Sequence, residues 1–72
     1  MNVRETFERE LARLREDLLA MGSEVQRAIA RSIIALDDRD VELARGIIAE
    51  DEVINEHRFR IEAACLGIMA TQ

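Results

Sequence analysis

From Val3 to Leu36 the apolar residues recur with alternating gaps of three and four: Val3, Phe7, Leu11, Leu14, Leu18, Met21, Val25, then Ala28 or Ile29, Ser32 or Ile33, and Leu36. That spacing is one stripe of an α-helix. The one-residue slide near Ala28 and Ser32 is the drift of a helix of about 3.6 residues per turn scored against a strict heptad. Glu and Arg occupy the remaining positions at helical spacing, Glu5 with Arg9 and Glu24 with Arg27 among them, as on a solvated surface with weak local support. Gly22 interrupts this helix at a cost of about 1 kcal/mol against alanine, so the pattern predicts a close helix-helix approach there, in preference to a bend.

The run Asp37-Asp38-Arg39-Asp40 breaks the periodicity. Asp40 suits an N-cap, because its carboxylate can accept free amide hydrogens of the next turn, and Glu42 suits the positive end of the helix dipole. Helix one is expected over about 3–37, a turn over 38–40, and helix two over about 41–70. So short a connection returns the chain antiparallel, as a hairpin. With the turn centred near 38–39, residue i of helix two falls level with residue 77−i of helix one, which sets Asn55 near Gly22 and Asp51 near Gln26.

Helix two carries a feature that a plain amphipathic helix lacks. Asp51, Asn55, Arg58 and Glu62 project within a sector of roughly 60°. Leu43, Ile47, Ile54, Ile61, Cys65 and Ile68 lie on one side of this column, and Ile48 and Leu66 on the other. Charges inside an apolar sector must be paired, hydrogen-bonded or bound to a ligand, since burying them bare costs several kcal/mol or more. Arg58, four residues before Glu62, can bond it directly and lies near Asp51 and Asn55. The favoured expectation is a satisfied interhelical network in which removing Arg58 costs about 3 kcal/mol or more. A metal or anion site shared with a partner helix, and a solvated stripe, are the other two readings.

Seventy-two residues with 49% apolar and 35% charged side chains, no Pro and three Gly fit one all-α domain, an antiparallel two-helix hairpin. Helix two is apolar over about half its circumference, whereas one neighbour covers a stripe of about 100°. Self-association of two hairpins into a four-helix bundle is therefore expected.

A net charge of −5 and only two aromatic residues argue against a nucleic-acid surface. The charged N-terminal stretch and the lack of a long apolar run argue against a signal peptide or membrane span, so a cytoplasmic chain is expected. Cys65, at helical spacing with Ile61 and Ile68, reads as a small core hydrophobe. His57, without a second His or Cys at ligand spacing, reads as a boundary residue. No triad, paired-acid pocket or Gly-rich phosphate loop suggests an enzyme.

The segment from Leu18 to Gln72 resembles the first two helices of a PhoU repeat, of the phosphate-uptake regulator family. The resemblance rests on Met21-Gly22, the turn residue Asp40, Asp51 followed by Ile54-Asn55, Ile61-Glu62 leading to Cys65-Leu66, and the ending Ala70 to Gln72. It implies that residues 1–72 are one partial PhoU-like helical domain, a third of a protein built from two three-helix repeats, whether as an expressed fragment or a degenerate reading frame. It further implies a regulator of phosphate uptake and phosphate-starvation signalling, acting by contact with a phosphate ABC transporter and its sensor kinase. The alternative is a self-assembling hairpin with no activity beyond oligomerisation. Family members that bind iron or divalent metal ions use acidic motifs whose first and last positions correspond here to Asp51 and Asn55. Asp51 is thereby the one metal-ligand candidate, and the Asn55 amide is a poorer ligand for a hard cation than a carboxylate.

Overall fold

The structure, a computed structural model, describes residues 3–71. Two helices account for nearly all of it: α1 spans Val3–Asp38 and α2 spans Val41–Ala70. They pack antiparallel as a hairpin, and the protein is all-α. Gln72, which closes the Ala70 to Gln72 ending, lies outside the described residues.

The turn is made by two residues that end one helix and begin the next. Arg39 adopts a left-handed conformation with φ 52°. Its N–H donates to the Leu36 carbonyl at 3.3 Å, and the Asp40 N–H reaches back to the Ala35 carbonyl at 2.9 Å. These two bonds satisfy carbonyls that the last turn of a helix otherwise leaves open, in the pattern known as a Schellman motif. The same Asp40 caps α2: its side chain accepts from the Leu43 N–H at 3.0 Å, and its carbonyl accepts from the Ala44 N–H at 3.1 Å. At the other end, the Thr71 hydroxyl and N–H both donate to the Ile68 carbonyl, at 3.0 and 3.3 Å.

The register differs from the sequence expectation by a full helical turn. Two cross-helix pairs, Arg31 with Glu50 and Glu24 with His57, place residue i of one helix opposite 81−i of the other. Part of the difference is the turn, centred between Arg39 and Asp40. The rest comes from side-chain direction. Each Cα–Cβ bond leans toward its own helix N-terminus, so in an antiparallel pair one side chain leans toward the turn and the other away from it. Contacts therefore join residues whose numbers sum to about two more than the level of the backbones implies. Gln26 and Gly22 are accordingly not the partners of Asp51 and Asn55.

Gly22 has neither of the roles expected of it. A 36-residue helix is about 54 Å long at ideal rise, and the longest dimension of the molecule is 55 Å, so α1 runs without a sharp kink. A Cβ built on Gly22 meets no atom within 4 Å. Met21 is half-buried in the interhelical seam, and the next residue is turned about 100° away from it.

The core is thin. Leu14, Ala35 and Ile61 alone are buried among the described residues. The Cα radius of gyration is 16.6 Å, against about 11 Å for a compact chain of this length. Two helices side by side form a rod with most of its surface facing outward.

Two substitutions test this backbone. Arg39→Gly relieves the left-handed position and is expected to raise stability by about 0.5–1 kcal/mol in urea melts. Gly22→Ala is expected to raise it by up to about 1 kcal/mol; a loss instead would show that something outside the hairpin approaches the backbone there.

Candidate functional site

Because each helix lends the other only a narrow stripe, the hairpin has two broad faces of different composition. On one face a groove is lined by Glu24, Arg27, Glu50, Val53 and Ile54, and a second by Asp17, Ala20, Glu24, His57, Arg60 and Ile61. Both grooves are edged by the cross-helix polar pairs. The Arg31 guanidinium donates to the Glu50 carboxylate. His57 Nδ1 lies 2.9 Å from Glu24 Oε2; an ionised carboxylate can only accept, so the ring nitrogen donates. Three of these four side chains, those of Glu24, Arg31 and His57, are half-buried.

The sequence expectation missed these pairs. On sequence grounds Glu24 pairs with Arg27 on its own helix and His57 stands as a boundary residue. One signal was available: Glu24 and Arg31 are seven apart, as are Glu50 and His57, so each helix carries a polar seam position repeated at the heptad, with charges that match when the helices run antiparallel.

The opposite face is apolar. Val25, Ile29 and Ser32 of α1 and Ile47, Ile48 and Asp51 of α2 line one groove. Toward the turn it continues along Leu36, Val41 and Ala44. Leu36 keeps 79% and Ile48 68% of its surface exposed, although such residues normally fill cores. The polar column lies along the α2 side of this face. Asp51 is exposed and Asn55 is half-buried. Arg58 Nε lies 3.7 Å from Glu62 Oε1, with side chains 53% and 59% exposed, and the guanidinium sits 5.0 Å from the Phe59 ring centroid. Among the described residues, no hydrogen bond or ion pair involves the side chain of Asp51 or Asn55.

Within one hairpin, then, the column is not an interhelical network. It lies about a quarter turn from the seam, beside α1 rather than against it. Ile48 and Leu66 on its outer side are exposed, as are Asp51, Arg58 and Glu62 themselves, so the charges are hydrated and their pairing weak.

The donor set does not fit a metal ion. Asp51 supplies one exposed carboxylate and Asn55 a neutral amide, while Arg58 brings a positive charge to the same row. Among the described residues no three of His, Cys, Asp and Glu converge as a metal site. Nor is any described helix long and apolar enough to cross a membrane.

A helical hairpin with one apolar face left uncovered is an architecture open to docking or to further bundling, and comparison with known proteins gives its family. The model of the PhoU domain matches residues 18–72, and the chain belongs to that family. It is 33% identical over 70 residues to the phosphate-specific transport system accessory protein PhoU homolog of Streptococcus pneumoniae serotype 4, an alignment covering 97% of this chain and 32% of that protein. It is 31% identical over 64 residues to the phosphate-specific transport system accessory protein PhoU of Escherichia coli K12, covering 89% of this chain and 27% of the relative. The Pseudomonas putida homolog is 33% identical over 69 residues. The chain spans about a third or less of the length of these relatives. No solved structure matches it.

Energetics of the two faces can be separated by mutation. In dilute solution Arg58→Met is expected to change stability by no more than about 1 kcal/mol, as for exposed ion pairs generally, in place of the 3 kcal/mol or more that a buried network would lose. Replacing Glu24 and His57 together by leucine is expected to stabilise the hairpin by about 1 kcal/mol or more, since a half-buried seam position gains apolar contact and loses a desolvated pair. Both outcomes are read from the midpoints of urea melts followed by helical circular dichroism.

Proposed function

We propose that this chain is a regulatory accessory module of phosphate uptake, working in the cytoplasm by protein contact rather than by chemistry. The observation that carries the reading is the apolar face formed by Val25, Ile29 and Leu36 on α1 and Val41, Ala44 and Ile48 on α2. Contiguous exposed apolar surface on this scale marks a protein-interaction site. Its relatives are named as accessory proteins of phosphate-specific transport, and the partners proposed are accordingly a phosphate ABC transporter and the sensor kinase that reports on it. The polar row Asp51, Asn55, Arg58 and Glu62 along the edge of the face supplies orientation, as the polar groups of an interface do.

A second reading is supported by the extent of the same surface. A compact protein of 8.2 kDa exposes about 4,500 Å², whereas this hairpin exposes 5973 Å². Two copies packed face to face as a four-helix bundle would remove that excess, so homo-oligomerisation is proposed alongside the regulatory role.

Deleting the gene is expected to raise expression of a phosphate-starvation reporter in phosphate-replete cells. Restoring the wild-type chain returns it to the repressed level, and Ile29→Lys with Ile48→Lys does not, because two ammonium groups on the apolar face block contact without touching the seam. Full repression by the doubly substituted chain, present at wild-type abundance, would rule out this face as the docking surface.

A further inference from the structure

Apart from the seam toward α1, α2 carries a second stripe with its own alternating spacing. It runs Val41, Ala44, Ile48, Asp51, Asn55, Arg58, Glu62, Leu66 and Met69, within a sector of about 100°, and it lies along the edge of the apolar face. Its two ends are apolar and its centre polar. Val41, Ile48, Leu66 and Met69 are all exposed, as are Asp51, Arg58 and Glu62. A stripe of this period is the contact line of a coiled-coil-like helix pair, and polar residues at its centre fix which register and which direction the partner helix takes.

Read from either end toward Asn55, the stripe matches itself at its apolar ends and in its charges. Run antiparallel on a second copy with Asn55 at the axis, Val41 falls opposite the partner's Met69 and Ala44 opposite the partner's Leu66, while Asp51 falls within one residue of the level of the partner's Arg58. Ile48 falls opposite the partner's Glu62, whose carboxylate lies beside its own Arg58. One residue is about 1.5 Å of rise, well within the reach of an arginine side chain. A parallel arrangement would instead set Asp51 against Asp51 and Arg58 against Arg58. An isologous interface requires this kind of self-complementarity, because every contact is made twice about the two-fold axis.

We propose that this stripe is a recognition surface for a second copy of the chain, α2 packing antiparallel on the partner's α2 with Asn55 on the two-fold axis and Asp51 paired with the partner's Arg58. Asn55 amides hydrogen-bond across the axis, and each Arg58 holds its own Glu62 and the partner's Asp51. The area is sufficient. Two separate hairpins expose twice 5973 Å², and a compact particle of their combined mass exposes about 7,500 Å², so up to about 4,400 Å² is open to burial when two copies compact together, with the α2 stripe as one part of it. Obligate homodimers bury roughly 2,000–5,000 Å². The inference rests on the self-association reading above and adds to it an orientation, a register and a pair of residues.

The test is a charge exchange followed by sedimentation of the full chain. Asp51→Arg leaves two arginines on the stripe, and Arg58→Asp leaves two aspartates; each alone sets like charges together twice. Each is expected to weaken self-association on the order of a hundredfold. Mixed in equal amounts, the two single variants form a heterodimer in which both opposite-charge pairs are regained, and the double variant carrying both changes dimerises with itself. Helical circular dichroism of each variant checks that the hairpin persists, as the exposure of both side chains predicts. A dimer whose strength ignores these substitutions would overturn the proposed pairing and leave self-association standing. A wild-type chain that remains monomeric at tens of micromolar would overturn both.

Discussion

A helix offers its whole circumference to be covered, and one neighbour covers a stripe of only about 100°. Every property of this protein follows from having two long helices under that limit. Each spends one stripe on the other, at Leu14, Ala35 and Ile61 and the half-buried residues between them. The rest of the apolar surface is left outside, much of it on the face of Val25, Ile29 and Ile48. The rod shape, the thin core and the unpartnered face are one fact stated three ways.

Polar residues in the seam modify that picture. Placing Arg31 against Glu50 and Glu24 against His57 gives up apolar contact at two seam levels, but it defines the register as a purely apolar seam would not. A slip of one helical turn would separate both pairs at once. The hairpin thus trades some depth of core for a fixed alignment of α2 on α1, and that alignment sets which residues share the outer face. Asp51 reaches the same groove as Val25 and Ile29 only in this register.

Much of the fold was legible in the chain. Alternating threes and fours mark α1, and the break at Asp37 to Asp40 with the Asp40 cap marks the start of α2, since those signals are local. Register was not legible, because it depends on side-chain lean and on where a left-handed residue falls, and neither is written as periodicity. Gly22 misled for a related reason: a glycine reports that a backbone tolerates approach without saying from which side, and it stands a quarter turn from the seam. The column Asp51, Asn55, Arg58 and Glu62 was correctly placed beside apolar residues, but its environment was misjudged. Ile48 and Leu66, which close the apolar sector on the outer side of the column, face outward in a hairpin. The cross-helix pairs went unseen because each residue has a plausible neighbour on its own helix, and only a correct register brings the other partner into view.

The turn leaves no slack. Asp40 closes α1 through its N–H and opens α2 through both its carbonyl and its carboxylate, and Arg39 is the only other residue between the helices. An inserted or deleted residue has nowhere to be absorbed as loop. It would rotate α2 by about 100° about its own axis, carry Glu50 and His57 out of the seam, and turn a different set of side chains toward α1. A point change on the outer face leaves the hairpin standing; a change in length at the turn does not. The spacing between the two helices is thus held by the backbone itself.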